Sequence, residues 1–171
     1  MTPLILSAVA ALAGPFSLHL GHARGEVQTT VSKVQGWRIE QRRDRFQETT
    51  SCRLQRGAMT MERSVMVFRF PRSVDTAEAK FRIDGGPLQS AGDVAVEVAG
   101  QGTALTGENL RHPGEGRVAL PVRLLRTAQV VAIQPNARRR HRDFDLAGLS
   151  AAIEASHRQG CALPADTSTA P

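Results

Sequence analysis

Two cysteines are the residues of this chain with the most reactive chemistry. Cys52 and Cys161 are the only cysteines among its 171 residues. In an oxidising compartment, two thiols pair most simply with each other. A catalytic Cys–His pair, a zinc site and free thiols are the alternatives, but zinc needs further ligands that no neighbouring spacing supplies. We therefore expect a structural disulfide between Cys52 and Cys161. On the chain-entropy model, a bond that closes a loop of this length stabilises the folded protein by about 4–5 kcal/mol.

The cations of the chain are almost all arginine, and they form two clusters. The first covers residues 38–45, where four arginines are offset by Glu40 and Asp44. The second consists of Arg138, Arg139, Arg140, His141 and Arg142. We interpret the second cluster as a candidate contact for an anionic partner, and a solvated hairpin loop is the alternative.

The aromatic residues argue against a nucleic-acid partner. A nucleic-acid surface usually adds exposed aromatic side chains or a recognition helix to its cations. This chain has no tyrosine, and its Trp37 and phenylalanines alternate with polar residues as buried strand positions do. We therefore expect no nucleic-acid binding.

Histidines and acidic residues form no recognisable catalytic constellation. The histidines after the first 23 residues are His112, His141 and His157. None of them has H-x-x-x-H, G-x-S-x-G or S-x-x-K spacing beside it. Asp143 and Asp145 could hold two carboxylates together for acid–base chemistry, but neutralisation by Arg140 and Arg142 is the more ordinary interpretation. The sequence predicts no enzyme, no cofactor and no metal site.

The start of the chain predicts export. Residues 4–20 are largely apolar, no charged side chain precedes Arg24, and the stretch ends in Gly21-His22-Ala23. Gly21 and Ala23 are the small residues that a signal peptidase requires at the third and first positions before its cut. We therefore expect a signal peptide cleaved after Ala23. A retained anchor is the alternative, although Gly14-Pro15 interrupts the roughly 20 apolar residues that a membrane span needs. We expect no transmembrane segment after cleavage, and a periplasmic or secreted protein.

The exported part of the chain has mainly the patterns of β-strands. Apolar and polar residues alternate in several segments, and the denser apolar run of residues 65–70 indicates a central strand. The glycines of Asp84-Gly85-Gly86-Pro87 suit a tight hairpin turn. We expect β-sandwich-like antiparallel sheets of about seven to nine strands. The predicted strands lie near residues 37–39, 52–54, 65–70, 80–83, 94–98, 130–133 and 144–146, and a further strand starts near Leu88.

Two segments are predicted to be helical. Pro121 suits the first position of a short helix. Apolar residues at helical spacing predict a longer C-terminal helix over residues 147–157, and Gly160 suits its left-handed end. Because Cys161 follows that helix, a disulfide to Cys52 would fix the helix to the sheet.

These patterns divide the chain into three parts. Residues 1–23 are the predicted signal peptide, residues 24–161 form a single β-rich exported domain, and residues 162–171 form a predicted disordered tail. The length of the central part suits one ordinary domain.

The C-terminal part of the chain carries a family resemblance. From Val118 to Cys161 it has a Pro-led turn, a strand, a basic turn, the run Phe144-Asp145-Leu146-Ala147-Gly148-Leu149, a helix and a cysteine. This order resembles the periplasmic accessory proteins associated with type VI secretion. Further matches are Gly36-Trp37, Cys52-Arg53-Leu54 and Phe81-Arg82-Ile83-Asp84. More distantly, the chain is similar to the invasion-associated locus B family.

The resemblance implies an exported, disulfide-bonded, noncatalytic accessory or binding domain of the bacterial cell envelope. It offers no catalytic residues to carry over, and a role in secretion is its finer implication. We expect a protein or another cell-envelope component as the partner. The alternatives are a structural or envelope-stress protein without a defined ligand, and a hydrolase.

Overall fold

The computed structural model describes residues 27–97, 104–106 and 116–161. The predicted signal peptide with its cleavage after Ala23, the predicted tail and His112 lie outside these residues. The described part contains twelve strands, one 3₁₀ helix and one α-helix. None of its helices is long and apolar enough to cross a membrane.

A six-stranded antiparallel sheet forms the larger layer of the fold. Its members are β1 (Val27–Val34), β2 (Trp37–Asp44), β3 (Thr49–Arg56), β4 (Met59–Glu62), β5 (Val65–Arg69) and β10 (Arg117–Pro121). The first five strands follow each other in a meander, and β10 pairs with β5. The inner face carries Trp37, Ile39 and Leu54, all fully buried.

A smaller four-stranded sheet packs against the first. Its members are β6 (Lys80–Ile83), β7 (Gln89–Ser90), β11 (Val130–Gln134) and β12 (Arg142–Asp145). Their order is β12-β11-β6-β7, and all neighbours are antiparallel. The expected turn after Ile83 connects β6 to β7, and Gly85 has φ +73 there. A separate hairpin is formed by β8 (Ala95–Glu97) and β9 (Ala104–Thr106).

The two helices lie close to their predicted places. Val122–Leu124 forms a 3₁₀ helix directly after Pro121. The α-helix, α1, spans Leu149–Arg158 and contacts β1, β2 and β3. It begins two residues later than predicted because Gly148 has φ +78 and so lies in the left-handed region.

A single main core joins the two sheets and α1. Phe68 of β5 and Phe144 of β12 meet edge to face, with ring centroids 4.9 Å apart. Leu149, Ala152 and Ile153 of α1 are buried in the same cluster. The fold is thus mainly β and sandwich-like, with one short helix and one C-terminal helix, as predicted. The twelve described strands exceed the expected seven to nine.

Candidate functional site

The run Phe144 to Leu149, which carried the family resemblance, connects the two layers. The carboxylate of Asp145 pairs with the guanidinium of Arg56 from the first sheet. The carbonyl of Ala147 accepts hydrogen bonds from Arg56 and from Nε1 of Trp37, the latter at 3.0 Å. These contacts have a structural role, because each fixes the chain between β12 and α1.

Cys52 and Cys161 form the predicted disulfide. Their sulfur atoms lie 2.04 Å apart, their Cα atoms 5.7 Å apart, and their positions differ by 109 in the sequence. Cys52 lies on β3, and Cys161 is 5% exposed just beyond α1. The described part of the chain contains no free thiol for catalysis.

The second arginine cluster forms the tip of the β11–β12 hairpin, as the flanking strand patterns predicted. Asn136 organises the loop through three of its groups. Its Oδ1 accepts the backbone N–H of Arg138 at 3.0 Å, and its carbonyl accepts that of Arg139 at 3.2 Å. Its Nδ2 donates to the carbonyl of Asp75 at 2.7 Å, which ties the loop to the segment before β6. We call residues 136–142 the Arg loop.

The Arg loop is exposed and has little acidic compensation. Arg138, Arg139 and Arg140 are exposed, and none forms an ion pair with an acidic side chain in the described residues. The guanidinium of Arg142 lies 4.9 Å from the ring centroid of Phe144, which holds it by a cation–π contact. The loop therefore presents a fixed backbone with free positive charge.

The first arginine cluster lies mainly on β2 and in the turn that follows it. Oδ1 of Asp44 accepts the backbone N–H groups of Phe46 and Gln47, both at 3.0 Å, and so fixes the turn. An open groove of about 590 Å³ beside the turn is lined by Arg43, Arg45, Glu48 and Thr50. Its mixed charges and lack of apolar walls do not suit a small-molecule pocket.

One expectation about the aromatic residues is wrong. Phe68, Phe81 and Phe144 are buried strand residues, but Phe46 is 75% exposed at the tip of the β2–β3 turn. Phe46 lies in a run of polar residues, and a turn of four residues leaves its side chain no inner face to join.

The two candidate acid–base carboxylates have separate partners. Asp145 pairs with Arg56, and Asp143 lies 3.8 Å from Nε2 of His141, so their partners are not the expected Arg140 and Arg142. His157 is exposed near the end of α1. Within the described ranges, no three His, Cys, Asp or Glu side chains are placed to bind a metal ion.

Asn136, the residue that shapes the Arg loop, was not predicted from the sequence. The signal was present, because asparagine side chains hydrogen-bond backbone groups two residues on and so favour turns. Asn136 also follows Pro135, which ends β11.

No protein-family model, curated protein or solved structure matches the chain. Among the chain's own features, the Arg loop combines exposed arginines with a hydrogen-bonded backbone.

Proposed function

We propose that this protein is an exported, noncatalytic binding domain of the bacterial cell envelope, and that its Arg loop contacts an acidic protein partner. The disulfide supports export, because such bonds persist in oxidising compartments. The family resemblance supports the finer proposal of an accessory role in secretion.

The observation that carries the proposal is the fixed backbone of the Arg loop. Besides the three bonds of Asn136, Nε2 of Gln134 donates to the carbonyl of Arg139 at 3.1 Å. A loop that is ordered before binding loses less conformational entropy when a partner arrives. Guanidinium groups also suit carboxylates, which they bind through two parallel hydrogen bonds.

The composition of the cluster indicates the kind of contact. From Arg138 to Arg142 it consists of four arginines and His141, and it contains no apolar side chain. Such a surface speeds association and selects an acidic partner, and its binding weakens as salt screens the charges.

Binding to poly-glutamate tests the role of the Arg loop. The double variant Arg139→Ser/Arg140→Ser should bind at least about fivefold more weakly than the wild type, the loss expected for two exposed charge contacts of about 0.5 kcal/mol each. The control Arg63→Ser/Arg72→Ser removes the same charge from exposed sites elsewhere and should change the affinity little. Equal losses in the two variants would show a nonspecific effect of net charge and contradict the proposal.

The intact mass of the protein from the producing cell tests export. We expect a chain that begins at Arg24 in the periplasm or the medium. A chain that retains Met1 and stays in the membrane fraction would contradict this part. Normal secretion by a strain that lacks this protein would contradict the accessory role in secretion.

A further inference from the structure

The outer edge of β1 differs from the other edges of the two main sheets. Exposed edges invite pairing with another strand, and proteins usually protect them by shortness, charge or proline. β7 has only two residues, β12 has three charged residues among four, and β10 carries Arg117 and Pro121. β1 has eight residues with the sequence VQTTVSKV, so Lys33 is its one charge and it contains no proline.

The backbone of β1 is regular, and among the described strands it is paired on one side only. All eight of its residues are in register with β2, from Val27 opposite Asp44 to Val34 opposite Trp37. No described strand pairs with the other side of β1. The sequence is rich in valine and threonine, which favour extended backbone.

The β1–β2 turn shows which backbone groups face outward. Gln35 and Gly36 form a two-residue turn with φ +46 and +82, the conformation of a type I′ hairpin. In such a turn the flanking residues, Val34 and Trp37, form a hydrogen-bonded pair. Hydrogen-bonded and non-bonded pairs alternate along an antiparallel ladder. The N–H and C=O groups of Thr29, Val31 and Lys33 therefore point away from β2.

The same three residues lie on the outer face of the sheet, where cations predominate. Lys33 lies opposite Arg38, and Thr29 lies opposite Arg42 on β2. Glu40, between them, is already 3.5 Å from the guanidinium of Arg38. Lys33 and Arg42 thus remain available to a strand placed beside β1.

We propose that β1 is a docking edge for an extended acidic segment of a partner protein, which adds as a seventh strand. Its backbone bonds to Thr29, Val31 and Lys33, and its acidic side chains alternate on the face that carries Lys33 and Arg42. The site is separate from the Arg loop and does not depend on it.

Charge also decides against a second copy of this chain as the occupant. The β1–β2 hairpin and the first residue of its following turn carry five cations, Lys33, Arg38, Arg42, Arg43 and Arg45, against the acids Glu40 and Asp44. A second copy would bring the same positive excess alongside, whereas an acidic segment offsets it.

A peptide titration tests the proposal. The probe is a capped peptide as long as β1 in which glutamate and valine alternate, and its control replaces every glutamate with lysine. In ¹⁵N-edited spectra of the full protein, the glutamate peptide should shift the amides of Thr29, Val31 and Lys33 most strongly and saturably. The lysine peptide should bind at least about tenfold more weakly, because its charges meet like charges.

A proline variant separates strand addition from simple charge attraction. Val31→Pro removes an outward N–H, leaves the β1–β2 hydrogen bonds in place, and is tolerated at an edge. It should weaken glutamate-peptide binding by about tenfold, because one hydrogen bond to the peptide is lost and the proline ring crowds the peptide carbonyl that would have accepted it. The control Val31→Thr keeps both the N–H group and the branched side chain, and should bind like the wild type.

Charge reversal provides a test that leaves the β1 backbone unchanged. Lys33→Glu should weaken the glutamate peptide and strengthen the lysine peptide. Unshifted β1 amides at millimolar glutamate peptide, or equal binding by Val31→Pro and Val31→Thr, would overturn the proposal. So would a dimer of the wild type that protects the same amides, because the occupant would then be a second copy. Arg139→Ser/Arg140→Ser should leave the shifts that the glutamate peptide causes in the β1 amides unchanged, which distinguishes the edge from the Arg loop.

Discussion

Gly148 lies where the start of α1 meets the turn between β1 and β2. Its φ of +78 is in the left-handed region, and a Cβ there would lie 2.6 Å from Cβ of Gln35. Gly160, at the other end of α1, has a similar φ of +80, but a Cβ there would meet nothing within 4 Å. The two glycines thus share a backbone conformation and differ in the space around them.

We predict that Gly148→Ala destabilises the protein more than Gly160→Ala. Gly160→Ala should cost about 1–2 kcal/mol for the left-handed conformation alone. Gly148→Ala should cost about 1–3 kcal/mol more, because Gln35 must move to admit the methyl group. Urea denaturation of the two variants measures the difference, and equal losses would contradict the packing argument.

Arg56 makes an ion pair of a different kind from that of Arg53. Arg56 has a side chain 26% exposed, bonds Asp145 and the carbonyl of Ala147, and lies 6.0 Å from the ring of Trp37. Arg53 pairs with Glu62 on the outer face, where both side chains are about half exposed. Exposed ion pairs contribute little because water and salt screen them.

We predict that Arg56→Ala lowers the free energy of unfolding by about 1–2 kcal/mol, through lost hydrogen bonds and lost packing on Trp37. Arg53→Ala should lower it by less than about 1 kcal/mol. Thermal unfolding of the two variants at low and high salt tests this prediction. A larger loss from Arg53→Ala would show that the contact between the layers is not the stabilising one.

At the scale of elements, the sequence predicted strands best where one face is buried and the other exposed. Residues 80–83 alternate in exposure along β6, and this segment was predicted. β10 was missed because four of its five residues are buried, which removes the alternation. β4 alternates as Met-Thr-Met-Glu, but four residues give too short a pattern. β1 was missed because its threonines and valines are partly buried or exposed and give a weak pattern.

The C-terminal end of helix α1 is held by local hydrogen bonds and by a residue distant in sequence. Its C-terminal end has the Schellman arrangement, in which Gly160 N–H donates to the carbonyl of His157 and Cys161 N–H to that of Ser156. Nε2 of Gln159 also donates to the hydroxyl of Ser32 at 2.9 Å. The local turn was predictable from Gly160, but no local signal indicates Ser32 as a partner.

We predict that Cys52→Ser/Cys161→Ser destabilises the protein by up to about 4–5 kcal/mol, the entropy of closing so long a loop. In this variant, hydrogen exchange of the α1 amides should speed up more, relative to the wild type, than that of the β6 amides, because the bond fixes this helix to the sheet. Melting curves and hydrogen exchange measure the two effects. An unchanged melting temperature would contradict a stabilising role for the bond.

At the scale of the whole molecule, the position of the Arg loop was predictable but its anchoring to a distant segment was not. Two apolar runs on either side placed the cluster at a hairpin tip. The sequence does not show which distant segment the loop contacts, since Asp75 lies 61 positions from Asn136 and yet anchors the loop. The same holds for Asp145, whose partner Arg56 is 89 positions away.

The disulfide also determines how the molecule responds to mechanical force. When tension is applied between Val27 and Cys161, it passes through the sulfur atoms at Cys52 and bypasses every residue enclosed by the bond. Only the segment from Val27 to Cys52 can then unravel, which limits the extension to about 90 Å. After reduction, the whole stretch to Cys161 carries the load and can extend to about 450 Å. Single-molecule pulling should therefore show a short contour-length increment in the oxidised protein, with the smaller sheet and strands β4, β5 and β10 of the larger sheet shielded from the force.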